Sequence, residues 1–175
     1  MIVVSDTSPL TNLAAIGQIE LLPRLFGETH LPLAVVQELS AGGKQWPGAA
    51  EVERAAWVRH HQVGDEWVVD ALRLDLDRGE AETIALALQL QADLVLLDEQ
   101  MGRLAARHFG LRVMGVVGIL LRAKELGFVP EVRTLLDGLR QKAGFYLGQP
   151  VYDHALELAG ESPPGDAAER AGETS

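Results

Sequence analysis

Short apolar runs alternate with longer amphipathic stretches along this chain. Residues 2–5, IVVS, form a β-branched apolar run that predicts a buried strand. Leucines and isoleucines then recur at helical spacing between Leu10 and Leu25, with a break predicted at Gly17. Further strands are predicted in ETHLP, near residues 57–63, in DLVLLDE and in LRVMG. This alternation of strands and helices predicts an α/β fold with a mainly parallel sheet.

The helical segments differ in how clearly the sequence marks them. EAETIALALQLQA is rich in Ala and Leu and apolar on most sides, so it predicts a buried helix. Pro130 stands where the helix of residues 129–144 is expected to begin. The segment DEWVVDALRLDLDRG follows neither a helical nor a strand pattern clearly.

The chain of 175 residues is long enough for one domain with a substantial core. We expect that domain to cover residues 1–160, including C-terminal helices. Residues 161–175 are rich in Pro, Gly and charge, which predicts a disordered acidic tail.

Composition narrows the classes of function. The chain has no cysteine, which excludes disulfides, thiolate nucleophiles and cysteine zinc sites. Its net charge of −10 argues against a general nucleic-acid-coating protein but allows a local basic patch. We see no signal peptide, and no apolar run reaches the roughly 18 residues of a membrane helix, so a cytoplasmic protein is expected.

Two predicted strands end at an aspartate. Asp6 follows the first strand and Asp98 follows the LVLL strand. In parallel sheets, ligands bind beyond the carboxyl ends of the strands, so both carboxylates are expected in one site. An aspartate in a turn is the alternative for Asp6.

Other acids are candidates for the same site. Glu38 lies in the VVQEL helix, where a solvated helix acid is the alternative. Glu80 and Glu82 open the Ala/Leu-rich helix, where the helix dipole favours acids. Two residues apart, they point about 200° from each other, so only one of them easily faces the site. Clustered carboxylates raise one another's pKa, and a hard cation such as Mg²⁺ offsets their repulsion.

The segments VVSDTSPLTNLAAIG, LPLAVVQEL, LDRGEAETIALAL and ADLVLLDEQMGRLAA together resemble the PIN-domain family, over residues 1 to about 160. The branch that they resemble is similar to the VapC-type toxins of toxin–antitoxin pairs. The resemblance implies a three-layer α/β/α domain and a Mg²⁺- or Mn²⁺-dependent ribonuclease.

The resemblance also implies a set of site residues. The first, second and fourth acids correspond to Asp6, Glu38 and Asp98. The third corresponds to Glu80, which lies 18 positions before the strand-end aspartate, with Glu82 held in reserve. Ser8 matches a hydroxyl residue that supports the first acid. The chain departs from typical PIN toxins in having Glu where many have Asp, and Leu96 where many have Thr.

An RNA substrate, a small antitoxin partner and a homodimer are the partners that this resemblance implies. Arg103 and Arg107 lie four apart on a helix after Asp98, where they are candidates for RNA phosphate contacts or for a solvated face. Trp46, Trp57 and Trp67 are candidates for base stacking, although packing in the core or at an interface is the more ordinary role.

Two other classes of function are weighed against this one. A catalytically weak or inactive PIN scaffold would act as a protein- or RNA-binding module. An aspartyl-phosphate phosphatase would need a second aspartate two residues after Asp6, where this chain has Ser8.

Overall fold

The computed structural model describes residues 1–42 and 48–161 of the chain. Its contacts divide the chain into two compact units, Met1–Val116 and Val117–Ser175, which are described separately. Trp46 and the tail after Glu161 lie outside the described residues, so the predictions for them stay predictions.

A parallel sheet forms the centre of the first unit. Its five described strands lie in the order β3-β2-β1-β4-β5, and each neighbouring pair is parallel. The strands are β1 (Val3–Ser5), β2 (Thr29–Pro32), β3 (Val58–His61), β4 (Leu94–Leu96) and β5 (Val113–Met114). The predicted mainly parallel sheet is confirmed.

Helices flank this sheet, as expected of an α/β/α arrangement. They are α1 (Thr7–Ala15), α2 (Leu21–Phe26), α3 (Leu33–Ala41), α4 (Ala49–Arg54), α5 (Glu66–Leu72), α6 (Arg78–Leu90) and α7 (Gln100–His108). Gly17 has a φ of +69°, which ends α1 as the sequence predicts.

The core of this unit depends on α6. Ile84 and Leu86 are fully buried and belong to one cluster with Val4 of β1 and Val95 of β4. A capping box begins α6: the Asp77 side chain accepts from the Glu80 backbone N–H, and the Glu80 side chain accepts from the Asp77 N–H. The buried helix that the sequence predicts is therefore confirmed, and Asp77 and Glu80 cap its first turn.

The segment that resisted assignment from sequence contains α5. Asp65 begins it by accepting a hydrogen bond from the Val68 backbone N–H. Val69 is buried in the core cluster, and Val68 and Leu72 pack against the cluster. The other side of α5 faces solvent.

The described part of the second unit, up to Glu161, contains three helices. They are α8 (Val116–Glu125, whose first residue belongs to the first unit), α9 (Arg133–Gln141) and α10 (Gln149–Leu158). The predicted start at Pro130 is wrong, because α9 begins three residues later. Glu161 accepts hydrogen bonds from the Val132 and Arg133 backbone N–H groups at that point. None of the helices in the described part of the chain is both long and apolar enough to span a bilayer.

Candidate active site

The two strand-end aspartates lie at the same edge of the sheet. Ser5, the last residue of β1, is paired with Leu96, the last residue of β4. The Asp6 backbone N–H donates to the Leu96 carbonyl at 3.0 Å, and Asp98 lies two residues further along. The edge predicted for these acids is therefore the one at which the fold places them.

An open cleft of about 430 Å³ lies beside the residues that directly follow β1. It is lined by Asp6, Thr7, Ser8, Glu38, Asp75, Asp77, Glu80, Glu99, Gln100 and Met101. Asp6, Glu38 and Glu80, three of the four acids that the sequence predicts for the site, are in this lining. Asp98 stands outside it in the part of the chain that the structure describes.

Asp6 is the most deeply buried acid of the cleft, with 4% of its surface exposed. Burial, together with the charges of Glu38, Asp77 and Glu80, raises the pKa of its carboxyl from 3.8 to about 8, against a lowering by the Thr7 backbone N–H. Holding an ionised Asp6 here costs free energy unless a cation is present.

Glu38 reaches the cleft from the second turn of α3. The Thr7 hydroxyl donates to its Oε2 at 2.5 Å. Burial raises the pKa of Glu38, the Thr7 hydrogen bond lowers it, and the charge of Asp77 raises it. A Cβ on Gly79 would lie 2.5 Å from Glu38 Oε1, so a side chain at that position would displace this carboxylate.

Glu80 enters the cleft from the first turn of α6. Its Oε2 accepts from the Asp77 backbone N–H at 3.2 Å, and it is 6% exposed. Burial raises its pKa, the Asp77 N–H lowers it, and the charges of Asp77, Glu99 and Glu38 raise it. A Cβ on Gly102 would lie 2.8 Å from Glu80 Oε1, so α7 makes room for this acid.

Glu82, the reserve candidate, has both carboxylate oxygens engaged elsewhere. Oε2 accepts from the Ala34 backbone N–H at 2.9 Å, and Oε1 accepts from Arg78 Nε at 2.9 Å. These contacts join the start of α3 to α6. The geometry thus favours Glu80 over Glu82 as the acid that faces the cleft.

Asp98 is held by two donors of the chain. The Val116 backbone N–H donates to Oδ1 at 2.7 Å, and Asn12 Nδ2 donates to Oδ2 at 3.1 Å. Burial raises the pKa of Asp98, while these two hydrogen bonds and the charge of Arg103 lower it. Arg103 is therefore placed beside Asp98, whereas Arg107 is exposed one turn further along α7.

The hydroxyls after Asp6 have different positions. Ser8 lines the cleft. Thr7 is the hydroxyl that contacts a carboxylate, that of Glu38, and it is 3% exposed. The role predicted for Ser8 stays a prediction.

Sequence reasoning missed three acids of the cleft, Asp75, Asp77 and Glu99. Asp77 is the most informative, because its charge raises the pKa of Asp6, Glu38 and Glu80. The spacing Asp-x-x-Glu before an Ala/Leu-rich run is a capping-box signal that locates Asp77 at a helix start beside Glu80.

A family model described as PIN domain matches residues 2–161. The chain belongs to the PIN-domain family. PIN domains are in general metal-dependent nucleases, and the fold implies nucleic-acid binding. No curated protein matches the chain.

The cleft of this PIN domain fits a hard divalent cation by its chemistry. Its candidate ligands are carboxylate oxygens, the donors that Mg²⁺ and Mn²⁺ prefer. Within residues 1–42 and 48–161, no three acids or histidines converge as around a bound ion. Glu38 and Glu80 each place a carboxylate oxygen close against a glycine, Gly79 and Gly102 respectively.

Proposed function

We propose that this PIN domain is a Mg²⁺- or Mn²⁺-dependent endoribonuclease that hydrolyses phosphodiester bonds in the acidic cleft. The observation that carries the proposal is the mutual electrostatics of Asp6, Glu38, Asp77 and Glu80. Burial and neighbouring negative charge raise the pKa of Asp6, Glu38 and Glu80, which is the condition that a bound cation relieves.

In this proposal Asp6, Glu38 and Glu80 hold the ion, and Asp98, two residues after β4, is the fourth acid of the set, although Val116 and Asn12 already donate to its two oxygens. A divalent ion at such a site lowers the pKa of a bound water and offsets charge on a phosphate. Thr7 orients Glu38 through its hydroxyl, and Asn12 orients Asp98 through its side-chain amide. Arg103 and Arg107 are proposed to contact RNA phosphates.

The direct test is cleavage of single-stranded and structured RNA by the purified protein. We expect cutting with Mg²⁺ or Mn²⁺, none with EDTA, and none for Asp6→Asn. Glu53→Gln, at an exposed acid of α4, is the matched control and should cut like the wild type. Equal cutting by Asp6→Asn would mean a contaminating nuclease or a different site.

A toxin role in a toxin–antitoxin pair is proposed on the family resemblance. It predicts that expression of the wild type arrests growth, whereas Asp6→Asn does not, and that a small antitoxin encoded next to the gene relieves the arrest. Homodimerisation is proposed on the same ground. Light scattering that shows only monomer at micromolar concentration would reject the dimer.

A second candidate function is a PIN scaffold that binds partners without cutting RNA. It is favoured by one observation, that no Lys or Arg is among the residues that line the described cleft. A metal titration separates the two functions, because an inactive scaffold predicts no stabilisation of the wild type by Mg²⁺ or Mn²⁺ and no cutting.

A further inference from the structure

Asp98 differs from the other three acids of the proposed set in what surrounds it. Its Oδ1 accepts from the Val116 backbone N–H at 2.7 Å, and its Oδ2 accepts from Asn12 Nδ2 at 3.1 Å. Each carboxylate oxygen can accept a second bond, so these contacts do not by themselves keep an ion away. They do fix the direction of the carboxylate, and Asp98 is not among the described residues that line the cleft.

The charge beside Asp98 also differs from that in the cleft. A Cβ on Gly115 would lie 2.8 Å from Asp98 Oδ1 and 2.5 Å from Arg103 Nη1, so both groups lie against the same glycine. Burial raises the pKa of Asp98, and of the nearby charges that of Arg103 lowers it and that of Glu99 raises it. The charges that act on Asp6, by contrast, are those of other acids. The arginine already offsets part of the charge of Asp98, and it repels a second cation.

The partners of Asp98 belong to three separate segments of the first unit. Asn12 lies in α1, Arg103 lies in α7, and Val116 follows β5. Asn12 is 86 positions from Asp98 in the chain, and Val116 is 18 positions from it. The carboxylate therefore connects two helices and the residues after β5 at the carboxyl edge of the sheet.

Two of these segments also hold the cleft acids in place. Helix α1 begins directly after Asp6 with Thr7, whose hydroxyl donates to Glu38. Helix α7 contains Gly102, where a Cβ would lie 2.8 Å from Glu80 Oε1. A shift of α1 or α7 would therefore move the groups that set the positions of these carboxylates.

We propose that Asp98 is a positioning residue, which fastens α1, α7 and the residues after β5 so that the cleft acids keep their places, and which does not itself contact the ion. The proposal rests on the proposed metal-dependent function. It gives Asp98 a different role from that of the three acids in the cleft.

Two substitutions of Asp98 separate the two roles. Asp98→Asn keeps an oxygen that accepts from the Val116 N–H, and the Asn12 amide can turn over to accept from the new side-chain NH₂. Asp98→Ala removes both hydrogen bonds and leaves their donors without this acceptor. If Asp98 is a positioning residue, Asn therefore retains what Ala loses. If Asp98 is a ligand, both variants lose the carboxylate that the ion needs.

The measurement is binding of Mn²⁺ to the purified protein without RNA, followed by the EPR signal of the free ion. It is made at a temperature at which thermal melts show every variant to be folded. We expect Asp98→Asn to bind within about threefold of the wild-type affinity. We expect Asp98→Ala to bind about tenfold more weakly, as is typical when a residue that supports a metal site is lost.

Asp93 provides a matched control at the other end of β4. Its Oδ2 accepts from the Ile2 backbone N–H at 2.7 Å, and it is not among the described residues of the cleft lining. Asp93→Ala should bind Mn²⁺ like the wild type whatever its melting temperature. Asp6→Asn, at a cleft acid, should bind much more weakly. Without metal, Asp98→Ala should melt about 4 °C or more below Asp98→Asn.

Two results would overturn the positioning role. Equally weak Mn²⁺ binding by Asp98→Asn and Asp98→Ala would make Asp98 a ligand of the ion. Wild-type affinity in both variants, with a lower melting temperature for Asp98→Ala, would limit Asp98 to stabilising the fold. A wild type that binds no Mn²⁺ is a distinct result, because it would refute the proposed function and this inference with it.

Discussion

The buried carboxyl of Asp6 should make the metal-free protein less stable as the pH rises. The pKa of a solvated aspartate is 3.8, and that of Asp6 in the folded protein is about 8. Below pH 3.8 the carboxyl is protonated in both the folded and the unfolded chain. Between these two values the folded state holds a proton that the unfolded state releases, so stability is lost as the pH rises towards 8.

The magnitude follows from the proton count. One extra proton in the folded state changes the free energy of unfolding by about 1.4 kcal/mol per pH unit. Between pH 5 and pH 7 the contribution of Asp6 therefore amounts to about 3 kcal/mol at most. Asn cannot ionise, so Asp6→Asn should lose this part of the slope, and near pH 7 it should be at least as stable as the wild type.

Urea unfolding with EDTA at about pH 5, 6 and 7 measures this directly. The free energy of unfolding of the wild type should approach and then fall below that of Asp6→Asn as the pH rises, whereas Glu53→Gln should follow the wild type. Saturating Mg²⁺ or Mn²⁺ at pH 7 should stabilise the wild type more than the variant, because the ion binds the folded site alone. Parallel pH profiles, with Asp6→Asn less stable throughout, would make Asp6 a structural turn residue.

Three further predictions concern neighbours of Asp6. Glu80→Gln should reduce RNA cleavage and the metal-induced rise in melting temperature. Glu82→Gln should mainly destabilise the fold, by about 1–3 kcal/mol, because the Glu82 carboxylate accepts hydrogen bonds from the chain. Equal losses of activity in the two variants, at equal stability, would contradict this prediction. Asp77→Asn keeps a side chain that caps α6, so it should lower the metal-induced stabilisation without unfolding the helix. Asp77→Ala should in addition cost about 1 kcal/mol of stability. A normal metal response of Asp77→Asn in thermal melts would mean that Asp77 only caps the helix. Gly79→Ala should change stability by less than about 1 kcal/mol yet weaken the metal response by displacing Glu38, and an unchanged metal titration would refute the close approach.

Much of the fold was predictable because the apolar pattern is local. The runs before Asp6 and Asp98 are short and apolar, as buried parallel strands are, and the structure places both at one sheet edge. The Ala/Leu-rich pattern of α6 was equally clear. By contrast, α5 escaped assignment because only one of its sides packs on the core, while Trp67 and Leu74 face solvent and disturb the pattern.

The candidate site was predictable only in part. Strand-end acids can be located from sequence, since a parallel sheet gathers the carboxyl ends of its strands. The sequence also determined that only one of Glu80 and Glu82 faces the site, because residues two apart on a helix diverge. Which of them does so depends on the tertiary structure, through the backbone N–H of Ala34 that engages Glu82.

Other features of the site were decided by contacts between residues far apart in the chain. Thr7 and Glu38 are 31 residues apart, and Asn12 and Asp98 are 86 apart. The sequence determined the strands, the helices and the supply of carboxylates, because these depend on local pattern and composition. Only the tertiary structure decided which carboxylates share a cleft and how strongly burial raises their pKa values, because desolvation and charge repulsion depend on distances between side chains that the order of residues does not contain.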